Sequence, residues 1–139
     1  ILLGRENIRA VKFTDSDYYV MQRIKALTGR EIISGKDECF LSALAAGADG
    51  AIGTTFNFML GHYKKILALT EEGKWEEALK IQAQINDVIA AMKGADIFHA
   101  TKYLMERRGY HTGIARRPFL PLTEEQKRRL SEACERNHI

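Results

Sequence analysis

Three short strand-like runs recur about twenty residues apart, at residues 8–13, 31–34 and 50–54, and a helix signal separates each from the next. The first is Ile8-Arg9-Ala10-Val11-Lys12-Phe13. Asp15-Ser16-Asp17 then offers caps for a helix over residues 18–27, with Tyr19, Ile24 and Leu27 among its apolar positions, and Thr28-Gly29 stops it. Glu31-Ile32-Ile33-Ser34 is the second run and ends at Gly35. Lys36 or Asp37 opens a second helix that runs through Cys39-Phe40-Leu41-Ser42-Ala43-Leu44-Ala45-Ala46 and closes at Gly47. Gly50-Ala51-Ile52-Gly53-Thr54 is the third run. Strands separated by helices at this spacing imply compact βα units, a parallel sheet and right-handed crossovers.

Beyond residue 58 the strand signals cease. Met59, Tyr63, Ile66 and Leu67 mark one amphipathic helix, and Trp75, Leu79, Gln82, Ile85, Ile89 and Met92 track a long second one whose apolar stripe is expected to pack between helices. Asp96 can cap a third. Thr123-Glu124-Glu125-Gln126 is a capping box that opens the last, after an extended linker, Arg116-Arg117-Pro118-Phe119-Leu120-Pro121, whose prolines exclude regular structure. The expected organisation is three βα units over residues 1–69 and a helical extension over 70–139. Three parallel strands do not close a sheet, whereas a (β/α)₈ barrel needs eight. The fold expected is therefore α/β, the last three βα units of a TIM barrel followed by a C-terminal helical extension. The opening Ile1-Leu2-Leu3-Gly4 reads as the end of an element whose beginning lies elsewhere.

Composition narrows the function classes. The chain has 139 residues, is 45% hydrophobic and 28% charged, and carries a net charge of +3, which is ordinary for a single soluble domain. Arg107-Arg108, Arg116-Arg117 and Lys127-Arg128-Arg129 are interleaved with acids such as Glu106, Glu124 and Glu125, so solvated helix faces explain them better than a nucleic-acid groove. Cys39 and Cys134 lie far apart and suggest reduced thiols in a cytoplasmic protein. There is no membrane-spanning apolar run. His62, His99, His111 and His138 lack paired metal-ligand spacing, and no metal site is expected.

Lys12 is the sharpest chemical feature. An ammonium group in a strand buried on both faces is costly, so such a lysine either reaches water at the strand end or serves a site. Burial depresses a lysine's pKa, and a neutral amine can attack a carbonyl. In a parallel βα barrel, catalytic groups gather at the C-terminal ends of strands. The first end carries Lys12 and Thr14, which share one face. The second carries Gly35, Asp37 and Glu38, and the third Gly53, Thr54 and Thr55. Such a rim suits a polyhydroxylated substrate, because carboxylates accept hydrogen bonds from hydroxyls. Other readings compete at each position: Lys12 snorkelling to solvent, Asp37 and Glu38 satisfying a helix N-terminus, and Thr54 bonding nearby backbone. For Gly47, Gly50 and Gly53, strand starts and close backbone approach explain the pattern better than a phosphate loop.

Ala10-Val11-Lys12-Phe13-Thr14-Asp15-Ser16-Asp17, Gly35-Lys36-Asp37-Glu38 and Gly47-Ala48-Asp49-Gly50-Ala51-Ile52-Gly53-Thr54-Thr55-Phe56-Asn57 together resemble the N-acetylneuraminate lyase branch of the dihydrodipicolinate synthase superfamily. The resemblance extends to Arg116-Arg117-Pro118-Phe119. Thr54 and Phe56 are conservative departures from that branch, and Lys36 stands where it often has an aromatic residue. The resemblance implies a class I aldolase that reversibly cleaves N-acetylneuraminate (sialic acid) to N-acetylmannosamine and pyruvate through a Schiff base on Lys12, with no metal or organic cofactor. It implies that Thr14, Gly35, Asp37, Glu38 and Thr54 hold the sugar's hydroxyl tail, and that the assembly is a homotetramer. The family's proton-relaying tyrosine and its carboxylate-binding loop lie on earlier strands, which this sequence does not contain. Tyr18 and Tyr19 are poor substitutes. A half-barrel fragment, or one of two complementing chains with an N-terminal half-barrel as partner, is the resulting expectation. The rivals are another pyruvate-dependent aldolase or a dihydrodipicolinate synthase of the same superfamily, and an inactive half-barrel that serves as a scaffold.

Overall fold

A computed structural model describes residues 4–139. The expectation attached to Ile1, Leu2 and Leu3 lies outside the described residues. The chain divides into two compact units, residues 1–53 and 54–139.

The first unit holds a three-stranded parallel sheet in the order β1-β2-β3, with β1 at Ala10–Phe13, β2 at Glu31–Ser34 and β3 at Gly50–Ala51. Lys12 pairs with Ile33, and Ile33 with Gly50. Because strand side chains alternate, these three positions share one face, while Ile32 and Ser34, both buried, belong to the other. Helix α1, Tyr18–Thr28, starts because the Asp17 side chain accepts the Val20 N–H at 3.0 Å. It stops because Gly29 adopts φ 63° and returns its N–H to the Lys25 carbonyl. The second helix begins later than expected. A 3₁₀ turn covers Asp37–Cys39, and α2 runs only over Phe40–Ala45. Met21, Ile32, Phe40, Leu41 and Ala43 form this unit's core.

The strands are shorter than the sequence suggests at both edges. β2 begins at Glu31, so Ile8 and Arg9 have almost no ladder to join. It ends at Ser34, so Gly53 and Thr54 run past its last pairing residue. A strand needs a neighbour as much as it needs apolar residues.

The second unit is helical: α3 Phe56–Glu71, α4 Trp75–Met92, α5 Ile97–Glu106 and α6 Glu124–Arg136. α3 packs on α4 and α5, and α6 packs on α4 and α5. α3 is kinked at Met59, whose φ of −124° leaves the helical region. The side chain of Asp96 caps α5 by accepting the His99 N–H at 2.9 Å. Thr123 and Gln126 form the expected capping box on α6. Residues 110–115, before the linker, carry no helix or strand.

The apolar stripe of α4 is buried at Gln82, Ile85 and Met92 as expected, but at its start the inward face is rotated away from Trp75 and Leu79. Ala78, Ile81, Gln82, Ile85, Val88, Ala91 and Met92 are buried, whereas Trp75 is 43% and Leu79 60% exposed. On α3, Met59, Tyr63 and Ile66 are buried as expected, but Leu67 faces outward. Alanines at 78 and 91 mark the close-packed face, which a reading weighted to large residues passes over.

Candidate active site

Lys12, Thr14, Gly35, Asp37 and Gly53 meet at the C-terminal ends of the strands. The pleat places Lys12 on the face opposite the buried Ile32 and Ser34, and its side chain is exposed. β1 is an edge strand of this three-stranded sheet.

Gly35 follows β2 and donates its N–H to the Phe13 carbonyl at 2.8 Å, which extends the β1–β2 pairing by one step. That step brings Gly35 against the lysine strand. A methyl group on Gly35 would lie 3.0 Å from Lys12 Cε and 3.1 Å from Thr14 Cβ, and would overlap Thr14 Oγ1. A similar closeness joins the second and third strand ends. A methyl group on Gly53 would overlap the Asp37 carboxylate and lie 2.6 Å from its Oδ2. Three strand ends are thus linked in sequence: lysine and threonine on glycine, aspartate on glycine.

Of the other expected residues, Glu38 is exposed and lies close enough to Tyr18 to push its phenol upward. The larger influences on that phenol are burial and the neighbouring Cys39 side chain, and its hydroxyl donates to the Cys39 carbonyl at 3.2 Å. Asp37 and Glu38 lie in the 3₁₀ turn that leads into α2, whose N-cap residue is Cys39. Lys36 is half-buried and donates to Ser16 Oγ at 2.7 Å, joining the loops after β1 and β2. Thr54 belongs to the second unit. Its backbone carbonyl accepts from the Asn57 side chain at 2.8 Å, a local turn contact.

The three glycines that follow α2 differ in cause. Gly47 has φ 90° and ends the helix. Gly50 leaves ordinary room beside Ile33, and only Gly53 is closely occupied. What approaches Gly53 is a carboxylate side chain, where backbone was expected. The signal for it is a glycine at the end of a strand next to one that ends in Gly-x-Asp.

Among the described residues, no group of three or more His, Cys, Asp or Glu side chains converges as a metal site, and no helix is long and apolar enough to cross a membrane.

A parallel βα sheet with a lysine, a hydroxyl and a carboxylate on its C-terminal rim defines an α/β protein of the (β/α)₈ class, present here as three strands with a helical end. The chain belongs to the dihydrodipicolinate synthetase family, whose profile matches residues 1–137. Among solved structures, the Clostridium difficile protein CdNal in complex with mannosamine is similar at 36% identity and TM-score 0.90, over 98% of this chain and 47% of that one. N-acetylneuraminate lyase from Fusobacterium nucleatum, complexed with pyruvate, is similar at 32% identity and TM-score 0.90, over 97% of this chain and 46% of that one. Dihydrodipicolinate synthase from Bacillus anthracis is similar at 27% identity and TM-score 0.90, over 96% of this chain and 47% of that one. The chain spans a little under half the length of these structures and matches about their C-terminal half.

Proposed function

We propose that this chain supplies the nucleophile and part of the sugar-binding rim of a class I aldolase, an N-acetylneuraminate lyase acting in the cytoplasm as a homotetramer. Residues 1–69 provide the last three βα units of the barrel and residues 70–139 its helical extension, with the remaining strands coming from an N-terminal half-barrel. The observation that carries this reading is the packing of the Lys12 stem and Thr14 against Gly35, which presents an amine and a hydroxyl together on the strand-end rim. Two similar proteins bind mannosamine, the sugar half of the substrate without its N-acetyl group, and pyruvate, the other half.

Lys12 in its neutral form attacks the C2 carbonyl of the open-chain sugar acid, and uptake of a proton with loss of water leaves a protonated imine. The C3–C4 bond breaks, its electrons pass to the imine as an enamine, and the C4 hydroxyl proton leaves to a base. N-acetylmannosamine departs as the aldehyde. Protonation of the enamine at C3 and hydrolysis then release pyruvate and regenerate the amine. Thr14, Gly35, Asp37, Glu38 and Thr54 hold the hydroxyl tail, the carboxylates as acceptors. This chemistry calls for no metal or organic cofactor.

Incubation with pyruvate and borohydride, followed by mass mapping, is the test. A reduced adduct on Lys12 is the expected result, and its absence from the complemented barrel would overturn the proposal. Cleavage of N-acetylneuraminate, measured against condensation of pyruvate with an aspartate-derived semialdehyde, separates a lyase from a synthase of the same family. Absence of both reactions leaves a scaffold role.

A further inference from the structure

We infer that Gly53 is a positioning residue, the seat on which the Asp37 carboxylate rests, and that it thereby sets the preference of the rim for a polyhydroxylated chain. The inference rests on the aldolase reading above and adds to it a residue with no functional group of its own.

Backbone conformation does not require glycine at this position. Gly53 is not among the residues with positive φ, unlike Gly29, Gly47, Gly73, Gly94, Gly109 and Gly113. What demands glycine is space, and the atoms nearest to that space belong to one group. A Cβ would overlap Asp37 Oδ1 and Cγ and lie 2.6 Å from Oδ2, and these three atoms are its nearest neighbours.

The obstructing atoms are the far end of a flexible side chain. A side chain at position 53 would therefore turn Asp37 out of its place by rotation about χ1 and leave the strand intact. That distinguishes Gly53 from a packing glycine, whose replacement displaces backbone. Asp37 lies two residues beyond Gly35, the glycine that carries Lys12 and Thr14. A carboxylate held there accepts hydroxyl hydrogens from a chain whose carbonyl end is joined to the lysine. Once turned away, it no longer does so, and the amine is unaffected.

The experiment is a double-mutant cycle of Gly53→Ala and Asp37→Ala, read in three ways. In the complemented barrel, Gly53→Ala should lower kcat/KM for N-acetylneuraminate by about ten- to a hundredfold, the loss of one charge-assisted hydrogen bond. Most of that loss should fall on KM, and the rate of pyruvate trapping at Lys12 should stay unchanged. Asp37→Ala should give the same loss, and the double variant no further one. Additive losses, or an unchanged kcat/KM in Gly53→Ala, would overturn the inference. The third reading is thermal melting of the chain itself. Any shift caused by Gly53→Ala should disappear in the Asp37→Ala background, and a shift that persists there counts against the seat. Failure of wild-type trapping at Lys12 would bring down the aldolase reading, whereas the melting cycle still decides whether Gly53 seats Asp37.

Discussion

Gly35 and Thr14 lie so close across the β1–β2 step that a side chain on the first would overlap the hydroxyl of the second. The same added carbon would lie 3.0 Å from Lys12 Cε. Gly35→Ala is therefore expected to shift the amine and the hydroxyl together. Displacements of this order in a reacting group cost about a hundredfold in rate. The rate of adduct formation with pyruvate, under limiting borohydride, checks this. An adduct formed at the wild-type rate would mean that the rim has slack the geometry does not suggest.

Asp49 holds the other end of the same sheet. Its Oδ1 accepts from Lys25 at 2.7 Å and its Oδ2 from the Ile32 N–H at 2.9 Å. The lysine first and the backbone N–H second hold this carboxyl below its usual range. A carboxyl depressed in the folded state binds protons more readily when unfolded, so its contribution is complete above the ordinary aspartate pKa. It is lost as pH falls through the depressed folded value. Asp49→Asn should flatten the acid limb of the stability profile in that window and leave its slope near neutrality unchanged. Denaturant melts at a series of pH values measure this. Both partners are more than a third exposed or nearly so, and solvent screening keeps the effect small.

Much of the fold was legible because local chemistry decided it. Asp17 caps α1 and Gly29 ends it, as their spacing indicates, and Thr123 and Gln126 close the box on α6. These features depend on residues three or four apart. What escaped the sequence depends on neighbours distant in the chain. The limits of β1 and β3 follow from where β2 begins and ends. The 3₁₀ turn at Asp37–Cys39 delays α2 without an announcing residue. The rim residues could be named from their places at strand ends, yet the role of Gly53 stayed hidden, since a glycine's reason is the atom that occupies its empty side and here that atom belongs to Asp37.

The caps themselves can be weighed. Thr123 accepts from the Gln126 N–H at 3.2 Å, and Gln126 returns a bond to the Thr123 N–H at 2.8 Å. Gln126 also donates to the Gly94 carbonyl at 2.8 Å, tying the start of α6 to the end of α4. Thr123→Ala should destabilise the chain by about 1 kcal/mol. Gln126→Ala removes two bonds and should cost at least as much. Urea denaturation followed by circular dichroism compares them, and equal stability of wild type and both variants would show that α6 holds by packing alone.

The rotated face of α4 yields the strongest contrast. Ile85 is fully buried, while Leu79 is 60% exposed on the same helix. Truncating a buried isoleucine removes transfer energy and leaves a cavity, so Ile85→Ala should cost about 2–5 kcal/mol. Leu79→Ala removes a side chain that is mostly in water and adds a better helix former, so its effect should stay within about 0.5 kcal/mol. Had the stripe run through Trp75 and Leu79, both substitutions would be costly. Denaturation midpoints of the two variants of the chain settle which face is inward: a Leu79→Ala loss matching that of Ile85→Ala would return Leu79 to the core.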